Sequence, residues 1–237
     1  KEVKHVFTLA GGFCNPALEG FMDCQIPVIN CPHEQVAGHL ADGHARITRI
    51  PTVCLVGPEG FSNAVPAMME AWGERSPVIF ITGSSTKKRE GAGGFKEIDD
   101  VSVAAPLTKY SISISDGTRI EEFVDRAWKI AINGYPGPVH LSLPVDIMFA
   151  SFPANEEKKE RPFQNKPKKA LKAWPEPEVL NHVLRLIRRA RYPILIAGHG
   201  VWWSKNETKL GLVGEKFNIP IFNIPYHQKM LNDDCKA

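Results

Sequence analysis

Short apolar runs alternate with longer amphipathic stretches along the first part of the chain. Five runs bounded by turn-forming or polar residues predict β-strands, in the order HVFTL, PVIN, TVCLV, PVIFITG and PVHLSL. Between them, apolar residues recur at helical spacing over 33–48, 63–73 and 119–132, which predicts three helices. Strands that are apolar nearly throughout and are separated by helices are typical of a parallel sheet covered on both faces. The pattern therefore predicts a doubly wound α/β domain.

The alternation stops at residues 151–173, which contain several prolines and many charged side chains. Prolines and solvated charges at this density indicate a linker. We therefore predict a first domain over 1–150, a basic, proline-rich linker over 151–173, and the start of a central α/β domain over 174–237.

The third part repeats the alternation of helix and strand on a smaller scale. PEPEVLNHVLRLIRRA predicts an amphipathic helix, YPILIAG a strand, KNETKLGLVGEKF a helix and IPIFNI a strand. The apolar side of the first helix consists of Val179, Val183, Leu184 and Ile187. Because two or three strands are too few for a stable independent sheet, we expect this domain to be incomplete and the chain to continue or to pack against another element.

The composition and charge of the chain indicate which kinds of molecule it is expected to bind. The chain has 237 residues, 43% of them hydrophobic and 23% charged, and no segment approaches the ~20 unbroken apolar residues of a membrane helix. The net charge of +3 lies in residues 154–172, whose six Lys, one Arg and three Glu give +4 and leave −1 for the remainder. This run has no aromatic interleaving and no recognition motif, so a solvated linker is favoured over a nucleic-acid-binding segment. We expect neither a membrane nor a nucleic acid as partner.

The first residues and the cysteines indicate the cellular compartment in which the protein is expected. KEVKHVFTLAGG lacks the apolar run and cleavage site of a signal peptide, and it enters a strand so soon that we expect a preceding element to be missing. The cysteines are odd in number and lack metal-ligand spacing: Cys14, Cys24, Cys31, Cys54 and Cys235. Reduced thiols in a cytoplasmic protein are the simplest account.

The stretch NCPHEQVAGHLADGHA, residues 30–45, carries the first candidate chemistry. Pro32 suits the first position of a helix, with Cys31 as the cap before it, and Glu34 then lies in the first turn. A carboxylate there stabilises the helix dipole by ~0.3–1 kcal/mol. From the pattern alone this structural interpretation stands beside a catalytic one.

A second candidate is the glycine-bearing turn at residues 57–61, between a strand and a helix expected from about Asn63. Glycine lets a ligand approach the backbone, and α/β sheets bind ligands at this edge, so the turn is a candidate pocket edge. A tight turn without a ligand is the alternative. The stretch has neither Walker spacing nor G-x-G-x-x-G.

Seven motifs in order resemble the pyrimidine-binding domain of thiamine-diphosphate-dependent enzymes, especially the acetolactate synthase and benzaldehyde lyase group. The resemblance covers residues 1–150 nearly end to end, and AGHGV (197–201) and NIP (218–220) resemble the start of that family's central domain. The seven motifs are HEQ-x-A-x-H-x-ADG-x-AR (33–46), P-x-VCLV (51–56), G-x-x-N (60–63), A-x-x-x-x-SPV-x-x-ITG (71–83), GGF-x-E-x-D (93–99), P-x-TK (106–109) and GPV-x-L-x-LP-x-D (137–146).

The resemblance implies a lyase or carboligase that acts on a 2-oxo acid or a related carbonyl compound. It implies that Glu34 hydrogen-bonds N1′ of the cofactor's aminopyrimidine and so promotes loss of the C2 proton of thiamine diphosphate. Protonation of the resulting acyl carbanion equivalent gives an aldehyde, whereas attack on a second carbonyl compound gives a 2-hydroxy ketone. The implied cofactor contacts are Gly11, Gly12, Pro58, Glu59, Gly60 and Asn63, and the implied substrate-pocket residues are Phe13, Phe95 and Lys96.

Departures from the family's pattern narrow the implied chemistry. Pro58-Glu59-Gly60 replaces glycine-proline-glycine, and Glu59 is as readily expected to face solvent as the cofactor. Phe13 stands where benzaldehyde lyases carry a histidine, which puts benzoin-type acid–base chemistry in doubt. KKREGAGG (87–94) lacks the paired histidines of pyruvate decarboxylases, so simple decarboxylation to a free aldehyde is disfavoured.

Lys96 replaces a glutamine that is common near the substrate in this family. A lysine there would favour an anionic substrate or acyl acceptor, or its side chain would extend along the protein to place the ammonium at the surface. Other polar motif residues are expected to be structural: Glu97, Asp99, His33, His39 and His44.

The family's diphosphate and divalent metal are held by a separate domain with a Gly-Asp-Gly stretch, and GDG does not occur in this sequence. We therefore expect an incomplete piece or one subunit of a split enzyme, with the Mg2+ site outside it and FAD as a second candidate cofactor. The implied partner is the diphosphate-binding domain of another subunit, in a homodimer or homotetramer. The small-molecule partner is a 2-oxo acid or aldehyde.

Two other classes of function stay open. One is a non-catalytic or regulatory paralogue that keeps the fold, although it would have little need of Glu34. The other is a nicotinamide-binding protein built on AGHGVWW, which is weak because the glycine fingerprint is incomplete.

Overall fold

The computed structural model describes residues 3–152 and 173–224. These residues form two compact units, one within residues 1–171 and the other within 172–237. Most of the predicted linker lies outside the described residues, so the predicted domain limits stay predictions. The two units are described separately.

The first unit is built on a six-stranded parallel sheet with the strand order β2-β1-β3-β4-β6-β5. The strands are β1 (Val6–Thr8), β2 (Val28–Asn30), β3 (Thr52–Val56), β4 (Val78–Ser84), β5 (Ser111–Ser113) and β6 (Val139–Pro144). The helices are α1 (Asn15–Asp23), α2 (Glu34–Thr48), α3 (Pro58–Gly73), α4 (Asp100–Ala104), α5 (Ile120–Ile132) and α6 (Val145–Met148). This architecture confirms the predicted doubly wound α/β fold.

Alternate residues of each strand enter two separate cores, one on each face of the sheet. On β3, Leu55 packs towards α1 and α5, whereas Cys54 packs towards α2 and α3. The first core includes Leu18, Phe123, Ala127 and Ala131 from its helices. The second includes Ala37, Ala41, Ala45, Ala64, Met68 and Ala71. Buried side chains on both faces explain why the strands are apolar nearly throughout.

Small residues bring α2 and α3 close together. A Cβ added to Gly38 would lie 2.5 Å from the Cβ of Ala67, a separation that real Cβ atoms do not show. The backbone of α2 at Gly38 therefore packs directly against the methyl group of Ala67 on α3. This contact sets the spacing of the two helices whose first turns carry the candidate site.

Two predicted helix boundaries are wrong. The N-cap of α2 is His33, not Cys31, and Pro32 precedes the helix. The side chain of His33 accepts a hydrogen bond of 3.1 Å from the Gln35 amide through Nδ1. Helix α3 begins at Pro58, not near Asn63, because Pro is favoured in the first turn, where its missing N–H has no intrahelical partner.

The second unit contains two parallel strands, β7 (Leu195–Ala197) and β8 (Ile221–Asn223). Its helices are α7 (Pro177–Arg189), α8 (His199–Ser204) and α9 (Glu207–Phe217). The apolar side chains predicted to share one side of α7 are largely exposed, among them Val179, Val183 and Leu184. No helix within the described ranges is long and apolar enough to cross a membrane.

Candidate functional site

The connections of the sheet identify one edge position where a ligand is expected. The chain leaves β1 towards β2 on one side, returns to β3 on the other side of β1, and then continues to β4. Open α/β sheets bind ligands outside the carboxyl ends of the strands at such a reversal of strand order. The segments at this point are the loop after β1, the first turn of α2 and the first turn of α3.

Glu34 lies at this edge because α2 begins directly after β2. Its carboxylate Oε2 accepts a hydrogen bond of 2.9 Å from Nδ2 of Asn63, on the second turn of α3. No residue in the described ranges bonds the other oxygen, Oε1. The carboxylate is thus oriented by one neighbour and keeps an oxygen for a further partner.

Gly60 provides the room that Glu34 occupies. A Cβ added to Gly60 would lie 2.6 Å from Cγ and 2.7 Å from Oε1 of Glu34. Glycine in the first turn of α3 is therefore required by the close approach of a side chain from α2. The site-residue prediction placed Gly60 near a ligand, and the structure adds this packing reason.

The loop after β1 is anchored at both of its ends. The side chain of Asn30, at the end of β2, accepts a hydrogen bond of 2.9 Å from the Ala10 amide. The backbone of Phe13 crosses β4 at Gly83, where an added Cβ would lie 2.3 Å from the carbonyl oxygen of Phe13. The sequence did not predict that Asn30 and Gly83 hold this loop. The position of Asn30 at the carboxyl end of a strand was the available signal.

Gly11 and Gly12 lie exposed in this loop between its two anchors. A Cβ added to either residue would meet no atom within 4 Å. Packing within the described residues therefore does not require glycine at these positions, and their predicted role in contacting a cofactor stays a prediction.

A second loop, residues 85–99, projects from the carboxyl end of β4 and is closed by its own hydrogen bonds. Ser85 donates to the carbonyl oxygen of Phe95 at 3.0 Å. The carboxylate of Glu97 accepts from the amides of Gly91 and Gly94. Asp99 caps α4 by accepting from the Ser102 amide. These contacts give Glu97 and Asp99 the structural roles expected from the sequence.

This loop presents Lys96 to the first turn of α3. The ammonium of Lys96 donates to the carboxylate of Glu59, and this hydrogen bond holds the pKa of the Glu59 carboxyl below its ordinary value. The same ammonium lies 5.8 Å from the ring centroid of Phe13 and 5.1 Å from that of Phe95. The sequence predicted that Lys96 would either favour an anionic substrate or extend to the surface. It did not predict the ion pair with Glu59.

Cys14, next to Phe13, is not suited to act as a nucleophile. It is fully buried, and burial raises the pKa of its thiol to about 12, with the Glu59 carboxylate adding to the shift. A thiol with such a pKa is almost entirely protonated at neutral pH, and the thiolate is the reactive form.

A buried polar cluster lies under α4, on the same face of the sheet as α2 and α3. Ser111 donates to the carbonyl oxygen of Val101, so it accepts from Nδ1 of His140 at 2.9 Å. Nε2 of His140 then accepts from Thr82 at 3.0 Å and lies 3.8 Å from the Asp100 carboxylate. Burial lowers the pKa of His140 to about 3 and raises that of Asp100 to about 6.

The structure thus groups the predicted site residues into two adjoining clusters. One consists of Glu34, Gly60 and Asn63, and the other of Glu59, Lys96, Phe13 and Phe95. Pro58 is buried at the start of α3. Within the described ranges, no group of His, Cys, Asp and Glu could hold a metal ion.

Comparisons with known proteins bear on this site. A family model described as thiamine pyrophosphate enzyme, N-terminal TPP binding domain, matches residues 1–103. The chain is 33% identical over 222 residues to a probable acetolactate synthase large subunit of Methanocaldococcus jannaschii, covering 92% of this chain and 37% of that protein. It is 28% identical over 233 residues to the mitochondrial acetolactate synthase of Schizosaccharomyces pombe, covering 92% of this chain and 34% of that protein.

A solved structure shares the fold at low sequence identity. The Rhodococcus jostii RHA1 thiamine diphosphate-dependent 4-hydroxybenzoylformate decarboxylase matches with a TM-score of 0.83 and 21% identity, over 94% of this chain and 42% of that chain. The chain spans less than two fifths of the length of the two acetolactate synthases, 37% and 34%.

Proposed function

Since this chain belongs to the thiamine pyrophosphate enzymes, we propose that it forms the cofactor-activating part of an acetolactate-synthase-like lyase or carboligase. The substrate is a 2-oxo acid or a related carbonyl compound. The observation that carries the proposal is the carboxylate of Glu34, held by Asn63 in the space that Gly60 leaves.

The residues at the sheet edge fit the aminopyrimidine of thiamine diphosphate. A protonatable ring nitrogen needs a carboxylate partner with a free oxygen, and Glu34 offers Oε1 while Asn63 holds Oε2. Gly60 leaves the space in which that carboxylate lies, because a Cβ there would meet Glu34 atoms. Gly11 and Gly12 leave open space across the neighbouring loop, into which a ring could fit.

Thiamine diphosphate supplies an acidic carbon and an electron sink. In the proposed function, the carboxylate of Glu34 would hold a proton and share it with N1′ of the aminopyrimidine when the cofactor is bound. Asn63 orients the carboxylate, and Gly60 leaves the space that the side chain of Glu34 occupies. The buried thiol of Cys14 takes no part.

Several parts of the proposal extend beyond the described residues. The diphosphate and Mg2+ are assigned to a diphosphate-binding domain of another subunit, in a homodimer or homotetramer, and FAD is a candidate second cofactor. A cytoplasmic location is inferred from the cysteine pattern. Each follows from the family resemblance or the composition and needs its own measurement.

The direct test is hydrogen–deuterium exchange at C2 of thiamine diphosphate bound to the full-length protein. In the Glu34→Gln variant, the amide cannot share a proton with N1′, so we expect exchange to slow by about two to four orders of magnitude, the usual contribution of a positioned acid–base group. The matched control is Glu121→Gln, which changes a carboxylate in the first turn of α5. Exchange at the native rate in Glu34→Gln would refute the assigned role.

The non-catalytic alternative predicts a different result from the same assay. A regulatory paralogue would show no exchange above that of free cofactor, in the native protein as well as in both variants. Glu34, Asn63 and Gly60 would then be parts of a helix contact without acid–base function. The arrangement of these three residues favours the enzyme.

A further inference from the structure

Two positions at which this chain departs from the family's pattern meet in the structure. Glu59 replaces a proline in the turn, Lys96 replaces a glutamine, and the two side chains form an ion pair. They lie 37 residues apart in sequence, on different elements. Either residue alone would place an unpaired charge beside the candidate site, whereas the ion pair has no net charge.

The ammonium of Lys96 is satisfied within the chain. Glu59 accepts its hydrogen bond, and the rings of Phe13 and Phe95 lie within cation–π distance. The two rings are themselves 6.5 Å apart, so the ammonium lies beside a tilted aromatic pair. Lys96 has a left-handed backbone, with φ of 59°, held in a loop closed by Ser85 and Glu97.

This group faces the candidate site. Glu59 directly precedes Gly60, which contacts Glu34, and Phe13 lies in the loop after β1 at the reversal of strand order. Side chains of Glu59 and Lys96 keep 56% and 32% of their surface exposed, so a bound molecule can reach both. The wall they form with the two phenylalanines carries no net charge.

We propose that the Glu59–Lys96 pair makes this wall of the site electrically neutral and thereby selects an uncharged aldehyde, rather than a second 2-oxo acid, as acyl acceptor. The inference rests on the proposed function. A carboxylate that approaches Lys96 must displace Glu59 and is repelled by it, whereas an aldehyde with an apolar substituent contacts Phe13 and Phe95 without that competition.

The reaction is balanced without an oxidant or reductant. A 2-oxo acid loses CO2, its carbonyl carbon forms a new bond to the aldehyde carbon, and the aldehyde oxygen takes one proton. The product is a 2-hydroxy ketone. A second 2-oxo acid as acceptor would instead give a product that retains a carboxylate.

The kinetic test is a double-mutant cycle in the full-length protein, with kcat/KM measured for acetaldehyde and for pyruvate as acceptors. In Glu59→Gln, Lys96 loses its partner, so the preference should shift towards pyruvate by about fivefold, the upper range for a partly exposed ion pair. Lys96→Gln leaves Glu59 unpaired and should shift it away from pyruvate. The double variant should restore the native preference, because it is again neutral.

Lys96→Gln alone does not decide the matter, but a different result in Glu59→Gln and in the double variant would overturn the inference. If Lys96 binds the acceptor's carboxylate in the native protein, Lys96→Gln and the double variant will both lose activity selectively on pyruvate, and Glu59→Gln will change little. The matched control is Lys88→Gln, an exposed lysine in the same loop, which should leave the preference unchanged.

A second readout does not depend on turnover. Acetylation of Lys96 by an amine-reactive ester is followed by peptide mass spectrometry, with and without oxamate, an unreactive carboxylate shaped like pyruvate. We expect oxamate to protect Lys96 in Glu59→Gln but not in the native protein, and to leave Lys88 unaffected. Protection in the native protein, or in neither protein, overturns the inference. Absence of acyl transfer in every variant would refute the proposed function separately.

Discussion

Gly60 is the residue on which the placement of Glu34 depends. The structure leaves no room for a Cβ at this position, because Glu34 atoms would lie 2.6 Å to 2.9 Å from it. The side chain of Glu34 can rotate away, so the backbone need not move. The effect of a methyl group here is therefore expected on the carboxylate more than on the fold.

We predict that Gly60→Ala slows C2 exchange of bound thiamine diphosphate by about tenfold or more, since displacing the carboxylate by a fraction of an ångström weakens the bond to N1′ that we propose for it. Thermal unfolding should shift by only a few degrees. Gly73→Ala is the control, because it lies at the other end of α3, where an added Cβ meets nothing within 4 Å. Equal exchange rates in both variants would contradict the packing argument.

The pairing of Glu59 with Lys96 could not be predicted from this sequence. Each residue was recognised as a departure from the family's pattern, but nothing in local spacing links positions on different elements. The role of Glu34 was open for a related reason, since a carboxylate in a first helical turn has a structural explanation. The ordered motifs along the chain favour a catalytic role for Glu34. So do the hydrogen bond from Asn63 and the space beside Gly60.

At the scale of the elements, the hydrophobic periodicity predicted the long helices and the buried strands. The strands of the sheet centre are apolar on both faces and were found within a residue or two. Strand β5 (Ser111–Ser113) was missed, because it is three residues long, lies at the sheet edge and is polar at both ends. Helix α1 was missed because it is short and buries only Leu18.

The start of α3 shows a different reason for failure. Gly57-Pro58-Glu59-Gly60 has the composition of a turn, and it was predicted as one. In the structure Gly57 is the N-cap, and its carbonyl oxygen accepts from the Phe61 amide at 2.9 Å. Glycine at 60 serves a contact with another helix, which no local pattern shows.

Lys109 lies outside α5 in sequence and donates hydrogen bonds at the C-terminal end of that helix. Its ammonium donates to the carbonyl oxygens of Ile130, Asn133 and Tyr135, at and beyond the last turn of that helix. A cation is favoured at a helix C-terminus, where the last carbonyl groups of a helix have no intrahelical donors. The lysine of the P-x-TK motif therefore has a structural role.

We predict that Lys109→Met lowers the free energy of unfolding by about 1–3 kcal/mol, because partly buried carbonyl groups lose their donor. Urea denaturation at neutral pH measures the change. Lys88→Met, at an exposed loop position, should alter it by less than about 0.5 kcal/mol. A loss as small as that of the control would show that water replaces the lysine without cost.

At the scale of the whole molecule, the cluster around His140 joins α4 to three adjacent strands of the sheet, β4, β5 and β6. Its imidazole is neutral and fully buried, with a pKa lowered to about 3 from 6.5. The unfolded chain therefore binds a proton at a higher pH than the folded chain does. This group's contribution to stability is present above pH 6.5 and is lost as the pH falls towards 3.

We predict that the stability difference between native protein and His140→Gln falls by about 1 kcal/mol for each pH unit between 6.5 and 3, because only the unfolded chain takes up the proton in this range. Asp100→Asn is a control of opposite sign, because burial raises the pKa of Asp100 to about 6 from 3.8. Its stabilising contribution is present below pH 3.8 and is lost as the pH rises through 6. Denaturation curves at several pH values separate the two, and a pH-independent difference for His140→Gln would contradict a buried neutral imidazole.

The contact between Gly38 and Ala67 has a consequence for protein engineering. Glu34 lies in the first turn of α2 and Asn63 in the second turn of α3, and the separation of these helices is fixed by the two small residues. A mutant library that varies only polar residues at the candidate site would leave that separation unchanged. Libraries that vary positions 38 and 67 jointly, keeping their combined volume small, would instead tune the distance between the carboxylate and its amide partner without replacing either.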